Sequence, residues 1–319
     1  MTRSLLGLGV MALAAMMLAL AMGSVTVSLP DLWQVVQGDG SALHRTLVWE
    51  LRLPRAIAAF ATGGLLAVAG ALMQVLLRNP LADPYILGLS GGAAVGALLA
   101  MLAGMGTLLI SGSAFAGAML ATMLVFGLAH GTGSWTPSRL LLTGVVVASG
   151  WGAVITLMLA ITPSHKLPGM LYWLMGDVSY ARTPWPAFVV LVVSIGLIMP
   201  LARNLNVLAR GPMQAAALGV SVRPLEWVVY LLASLLTATA VTTAGSIGFV
   251  GLIVPHMLRL VLGNDQRIIL PASALAGGTL LVLADTLART VIAPEQLPVG
   301  VITALLGVPM FLYLLHRSR

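Results

Sequence analysis

No cysteine occurs in the 319 residues, so the chain has no disulfide, no thiolate metal site and no cysteine nucleophile. Lysine is nearly as scarce, with Lys166 in Ser164-His165-Lys166-Leu167 the single example. A Walker phosphate loop needs a lysine after its glycines to reach the β and γ phosphates, and no glycine-rich run here is followed by one, so no nucleotide site is encoded. Charged residues make up 8% of the chain and only nine are acidic. Proton or sodium coupling asks for carboxylates at membrane depth, and Asp285 is the chief one inside an apolar run. The five histidines, His44, His130, His165, His256 and His316, lack the close spacing of a zinc-protease helix. Intramembrane hydrolysis and a metal site are therefore not expected. His256 follows Pro255, which frees a backbone carbonyl for nearby polar groups to satisfy, and it reads as structural.

What is abundant is apolar. Such residues make up 59% of the chain and the mean hydropathy is +1.04. Too few charges remain to cover a water-soluble domain of this size, so the partner that composition implies is the lipid bilayer and not nucleic acid. Runs long enough to cross the hydrocarbon fall near 5–21, 56–77, 85–103, 112–128, 140–161, 187–201, 227–243, 247–262, 268–287 and 299–315. The expected fold is all-α, a polytopic bundle of about ten spans forming one transmembrane domain over 1–319. The 35 glycines sit within spans, where small residues let backbones approach. Gly88, Gly92 and Gly96 recur every fourth residue and predict a packing seam. The N-terminus, Met1 to Arg3 before an apolar run and Ala19-Leu20-Ala21, imitates a secretory signal. The run is long for such a segment, and Arg3 serves as an inner anchor, so the expectation is a retained first helix.

Cytoplasmic loops are enriched in basic residues. An inner N-terminus puts Arg3, Arg78, Arg139, Arg203, Arg210, Arg223, Arg259, Arg267, Arg317 and Arg319 inside. Arg45, Arg52, Arg55, Lys166, Arg182 and Arg289 then lie outside or near the outer boundary. The outer minority opposes the rule, and an acidic partner is one reason for it. In Glu50-Leu51-Arg52-Leu53-Pro54-Arg55 a proline fixes the turn, so both guanidinium groups can point away from the membrane. There they can take carboxylates in bidentate pairs, or snorkel to lipid phosphates. Arg289 lies four residues after Asp285, so an intrahelical ion pair stands beside a functional reading. On the inner side the longest polar stretch runs from Arg203 to Glu226. Its centre, Pro212 to Leu218 before Gly219, predicts a short helix, either a knob for a groove on a cytosolic partner or a plain surface linker. The string Leu89-Ser90-Gly91-Gly92-Ala93 imitates the signature motif of an ABC ATPase, but it opens a membrane helix and has no nucleotide-binding domain around it.

Several blocks together resemble the FecCD family of ABC importer permeases, and they follow the family's order over nearly the whole chain. They are Arg52 to Ala93, Ser138 to Gly144, Tyr172 to Gly176, Leu218-Gly219-Val220, Gly245 to His256 and Leu297 to Gly300. The resemblance implies a ten-helix subunit of type II ABC importer architecture. It also implies a homodimer in the bacterial inner membrane with both termini cytoplasmic, two cytosolic ABC ATPase subunits and a periplasmic substrate-binding protein. No cofactor is bound by this chain, and ATP and Mg sit at the partner ATPase. Arg52, Arg55 and Arg289 match positions that pair with carboxylates on the binding protein. Gly211, Pro212, Met213, Gln214, Ala215, Ala216, Leu218, Gly219 and Val220 match the helix that couples to the ATPase. Asn79, Pro80, Leu81, Pro137 and Ser138 correspond to the cytoplasmic gate, with Pro137 standing where the cobalamin permease has a hydroxyl residue. The fifth span lines the dimer axis, and there Thr143, Ser149 and Thr156 are mild polar groups on the path.

The mechanism this implies is alternating access carrying an intact metal chelate, whether cobalamin, haem or a ferric siderophore. The chain does no covalent chemistry itself. Two other readings stay open from residues alone: a proton-coupled secondary carrier centred on Asp285 and Arg289, and a membrane scaffold that transports nothing.

Overall fold

A computed structural model describes residues 2–129, 136–181 and 183–317. His130, Arg182 and Arg319 lie outside them. Among the described residues all regular structure is helical. The membrane helices are α1 (Thr2–Ala21), α2 (Leu53–Leu76), α3 (Leu89–Leu102), α4 (Thr107–Ala129), α5 (Pro137–Ile161), α6 (Trp185–Ile198), α7 (Val222–Ala244), α8 (Val250–Leu262), α9 (Gln266–Thr290) and α10 (Val299–Arg317). Among the described residues, seven helical segments are long and apolar enough to cross a membrane, α6 counting with its continuation to Leu208, and α3, α8 and α10 are shorter apolar helices. These ten fall on the ten apolar runs read from sequence.

The bundle is built around α2, a helix of Ala, Gly and Leu that is buried along almost its whole length. Alpha-helices α6, α7, α8 and α9 pack on it. Apolar burial separates these helices from water but not from one another, because lipid tails are as apolar as leucine. Close backbone approach is therefore what holds them. A Cβ at Gly63 would run into the Gly277 carbonyl of α9, and one at Gly70 into the Gly251 carbonyl of α8. Pro255, inside α8, has no N–H to return to Gly251, so the freed carbonyl lies against the bare backbone of Gly70. Gly92 and Gly96 form the expected seam, against Gly117 and Ser113 of α4. Gly88 does not belong to it. It precedes α3 at φ 69°, a left-handed turn that favours glycine, and faces α5.

Two stretches of irregular backbone enter the bundle. Gly251, at the start of α8, abuts both the Leu66 carbonyl in the middle of α2 and the ring of Pro84. The chain after α2 thus climbs back to mid-depth before α3 begins, and α8 begins at that depth too. A Tyr85 hydroxyl that accepts from the Ile247 N–H at 3.2 Å ties the segment before α3 to the one before α8. Non-helical backbone is tolerated at such depth where protein surrounds it.

Two short helices lie at the end that charge assigns outward. Leu29–Gln37 starts with a capping box, Ser28 and Asp31 each bonding the other's backbone, and buries Leu32 and Val35. The Ser28 hydroxyl holds the Asp31 carboxyl below its usual range. Leu167–Met175 buries Met170 and Trp173. Neither was separated from its neighbouring loop by sequence. Lys166, just before the second, donates to the Leu102 carbonyl at 2.8 Å and closes the last turn of α3.

Candidate functional site

Polar side chains collect at the two ends of the bundle. At the outer end, Ala42–Arg45 and a π-helical turn, Thr46–Arg52, run continuously into α2. Pro54 has no N–H to offer the carbonyl four residues back, so the preceding turn opens, and Leu53 N–H bonds Val48 instead. This turn sets where Arg52 and Arg55 point. Arg52, 5% exposed, turns inward: Nη1 donates to the carbonyls of Leu20 at 2.7 Å and Ala21 at 3.0 Å, and Nη2 to that of Val25. It satisfies the orphan carbonyls at the end of α1, lying over Gly23, where an added Cβ would meet the guanidinium. The expectation that this guanidinium points away from the membrane is corrected.

Arg55 also turns to the bundle. Its Nε lies 3.0 Å from Asp285 Oδ2, its Nη2 2.8 Å from Oδ1, and its Nη1 2.6 Å from Gln296 Oε1. Asp285, 1% exposed, is shared: Arg289 Nε, one turn along α9, is 3.2 Å from its Oδ2. The intrahelical pair read from sequence is present, and Arg55 joins it from α2. Asp177 adds a weaker contact to Arg55 at 3.8 Å. Arg289 further donates to the Ala19 carbonyl at 3.2 Å, so both it and Arg52 hold the end of α1. In this buried ion group each charge has an opposite partner, although the contact of Arg289 Nε lacks hydrogen-bond alignment. The three arginines line one open cleft of about 470 Å³ with Glu50, Ser179 and Gln296. Sequence reading placed all three arginines here and missed Asp177, Gln296 and the α1 carbonyls; the signal for the last was the bare end of α1 beside outward charges.

At the inner end, Pro212–Ala217 is helical, with Pro212 in its first turn and Gly219 following at φ 79°. Ala215 is buried, whereas Met213 is 87% and Leu218 70% exposed, so the segment projects as an apolar knob. The chain just before it is pinned to α9. Asn206 Nδ2 donates to Asp265 Oδ1 at 2.8 Å, and its Oδ1 accepts from Gln266 N–H at 2.7 Å. Arg267, with Asn206 and a backbone N–H adding to it, holds the Asp265 carboxyl well below the usual carboxylate range. Pro80 of the expected gate lines an inner cavity of about 620 Å³ with Asn206 and Arg210. Asn79 Oδ1 accepts from Leu81 N–H at 2.9 Å and closes the same loop. Pro137 and Ser138 open α5, capped by Thr136, and do not line that cavity.

On α5, Ser149 and Thr156 are exposed on one stripe, seven residues apart. Their hydroxyls bond back to the carbonyls of Val145 at 3.0 Å and Gly152 at 2.9 Å. Thr143 is half-buried and, by helical period, sits off that stripe. Only Leu140, Gly144 and Met158 of this helix are buried, so a long apolar face is left uncovered.

A profile of the FecCD transport family matches residues 11–317. The hemin transport system permease protein HmuU of Yersinia pestis is 38% identical, over 98% of this chain and 96% of that one. The vitamin B12 import system permease protein BtuC of Shigella boydii is also 38% identical, over 99% and 96% respectively. A solved structure described as an inward-facing metal-chelate type ABC transporter superposes with a TM-score of 0.88 at 30% identity, covering 99% of this chain and all of that one. A helical bundle so matched is an ABC transporter permease, the non-catalytic membrane component. The chain belongs to the FecCD transport family.

Proposed function

We propose that the chain is the membrane-spanning subunit of a binding-protein-dependent importer that moves an intact metal chelate, of the cobalamin, haem or ferric siderophore class, by alternating access. It acts as a homodimer in a bacterial inner membrane, both termini cytoplasmic, with two cytosolic ABC ATPases that bind ATP and Mg and a periplasmic binding protein. The observation that carries this reading is the division of polar function between the two ends of one family-matched bundle: an arginine-lined cleft outside and a projecting apolar helix inside.

At the outer cleft the arginines would receive carboxylates of the binding protein. Arg52 keeps two N–H groups beyond its three carbonyl bonds, since a guanidinium has five. Arg55 and Arg289 are already paired with Asp285, so docking there is an exchange or addition of carboxylates around a charged hub. At the inner end, Met213 and Leu218 would sit in a groove of the ATPase. ATP-driven closure would then move Pro212–Ala217, and the Asn206 contact would pass the motion to α9. The gate residues Asn79, Pro80, Leu81, Pro137 and Ser138 would close the inner mouth. The path along α5 would meet cargo with Ser149 and Thr156, hydroxyls tied to their own helix and thus weak contacts that favour release.

The carrier reading loses support from the geometry at its centre, because both oxygens of Asp285 are engaged by guanidinium groups. The deciding experiment is uptake of cobalamin, haem and a ferric siderophore into proteoliposomes holding this chain, its ATPase and its binding protein. Accumulation of one chelate only with ATP and binding protein is expected. Uptake on a proton gradient without ATP would sink the importer reading.

A further inference from the structure

The inner cavity of about 620 Å³ is lined by Arg78, Arg210 and Arg259, from the ends of three separate segments, and by Gln74, Asn264 and Asp265. None of the three arginines makes an ion pair among the described residues. Among the described residues Asp265 is the one acid on the wall, and its carboxylate is taken by Arg267 and Asn206. Glu226 of α7 faces Arg78 at longer range. Arg259 is fixed by its neighbours: Nε donates to Gln74 Oε1 at 3.2 Å and Nη2 to the Ala71 carbonyl at 3.2 Å. Three of its five N–H groups stay unspent. Gln74 in turn donates to the Leu252 carbonyl at 3.1 Å, so the guanidinium is held by α2 and α8 together. Arg78, by contrast, is exposed on a left-handed residue at φ 53°, and Arg210 is exposed beside it in the cavity wall.

From this geometry we infer that the cavity is a binding site for a phosphate group at the inner membrane boundary. Three arginines that line one cavity from different elements carry more donors than the two oxygens of a carboxylate can use. A phosphate, with charge spread over several acceptor oxygens, matches them. The depth fits the same chemistry. The cavity opens where α2 and α8 end, on the side that charge assigns inward, and basic pockets between membrane helices on the cytoplasmic side hold phospholipid headgroups. Its volume leaves room beyond the phosphate for an attached glycerol or similar group. Because Pro80 and Asn206 share the wall, an occupant touches both the loop after α2 and the segment leading to Pro212–Ala217. The site stands on these residues alone and does not depend on which cargo, if any, the chain carries.

The test pairs two probes with one variant. The purified full-length protein in detergent is titrated with phosphatidylglycerol by native mass spectrometry, phosphatidylcholine serving as the zwitterionic control. It is also dialysed to equilibrium against radiolabelled inorganic phosphate. Both are repeated with Arg78→Gln/Arg210→Gln, two exposed positions whose loss leaves the packing intact, as a thermal melt verifies, and with the outer-end control Arg45→Gln. Saturable binding is expected, weakened tenfold or more in the double variant and unchanged in Arg45→Gln. Phosphatidylglycerol alone binding assigns the site to a lipid headgroup; inorganic phosphate binding assigns it to a free phosphate. The inference is overturned by saturation with neither probe, by equal binding of phosphatidylcholine, or by binding that the double variant keeps.

Discussion

Asp285 holds two arginines from two helices, and that makes it the single residue whose loss should cost most. Asp285→Asn keeps the volume, leaves buried Arg289 without a counter-charge and leaves Arg55 only the long contact to Asp177, a change worth about 3–5 kcal/mol when one partner of a buried pair is removed. A large fall in the detergent melting temperature is the expected result, with Asp177→Asn far milder because its contact to Arg55 is long. Arg52→Lys tests a different property. Charge is retained, but an ammonium cannot fork to the carbonyls of Leu20, Ala21 and Val25 together, so a loss of about 1–3 kcal/mol in the same melt is expected. These positions also show how far sequence reaches at this scale. Asp285 and Arg289 were legible as a pair because helical spacing brings residues four apart together. Arg55 was legible as an outer basic residue but not as the third member, since its partner lies 230 positions away and only packing joins them.

At the scale of elements, apolar run length was enough to find all ten membrane helices, while their ends and breaks were not. The run read as 247–262 is a helix only from Val250, and Gly88, which fits the spacing of Gly92 and Gly96, turns out to precede α3 rather than belong to it. Periodicity counts residues and cannot see where the backbone leaves the helix. The glycines that matter are those facing another backbone. Gly70→Leu, against the Gly251 carbonyl, should abolish the monodisperse peak in fluorescence-detected size-exclusion chromatography, whereas Gly112→Leu, with nothing within 4 Å in the single chain, should leave the fold intact. Pro212–Ala217 was the element read most fully in advance, because Pro at the start and Gly beyond the end are local signals that need no tertiary context.

For the whole molecule, the proposed importer requires both ends to work through the bundle between them. Met213→Glu places a charge on the projecting knob without touching its buried side. In proteoliposomes with the ATPase, it should leave binding-protein association unchanged while ATP-driven uptake falls at least tenfold. Association at the outer cleft should weaken steeply as salt is raised from 50 to 500 mM, over roughly the ionic strengths where the screening length shrinks below 10 Å. An association insensitive to salt would remove the arginines from the docking role.

The fastening of α1 sets a schedule for the growing chain. This helix is made before α2 to α10 and lies at the rim, with little of it buried, and its last carbonyls are closed by Arg52 and then by Arg289. Until residue 289 has entered the bilayer, the carbonyl of Ala19 lacks that guanidinium. A nascent chain arrested before α9 should therefore have α1 laterally loose, available to an insertase or to a protease, and should lock it only once α9 is in place.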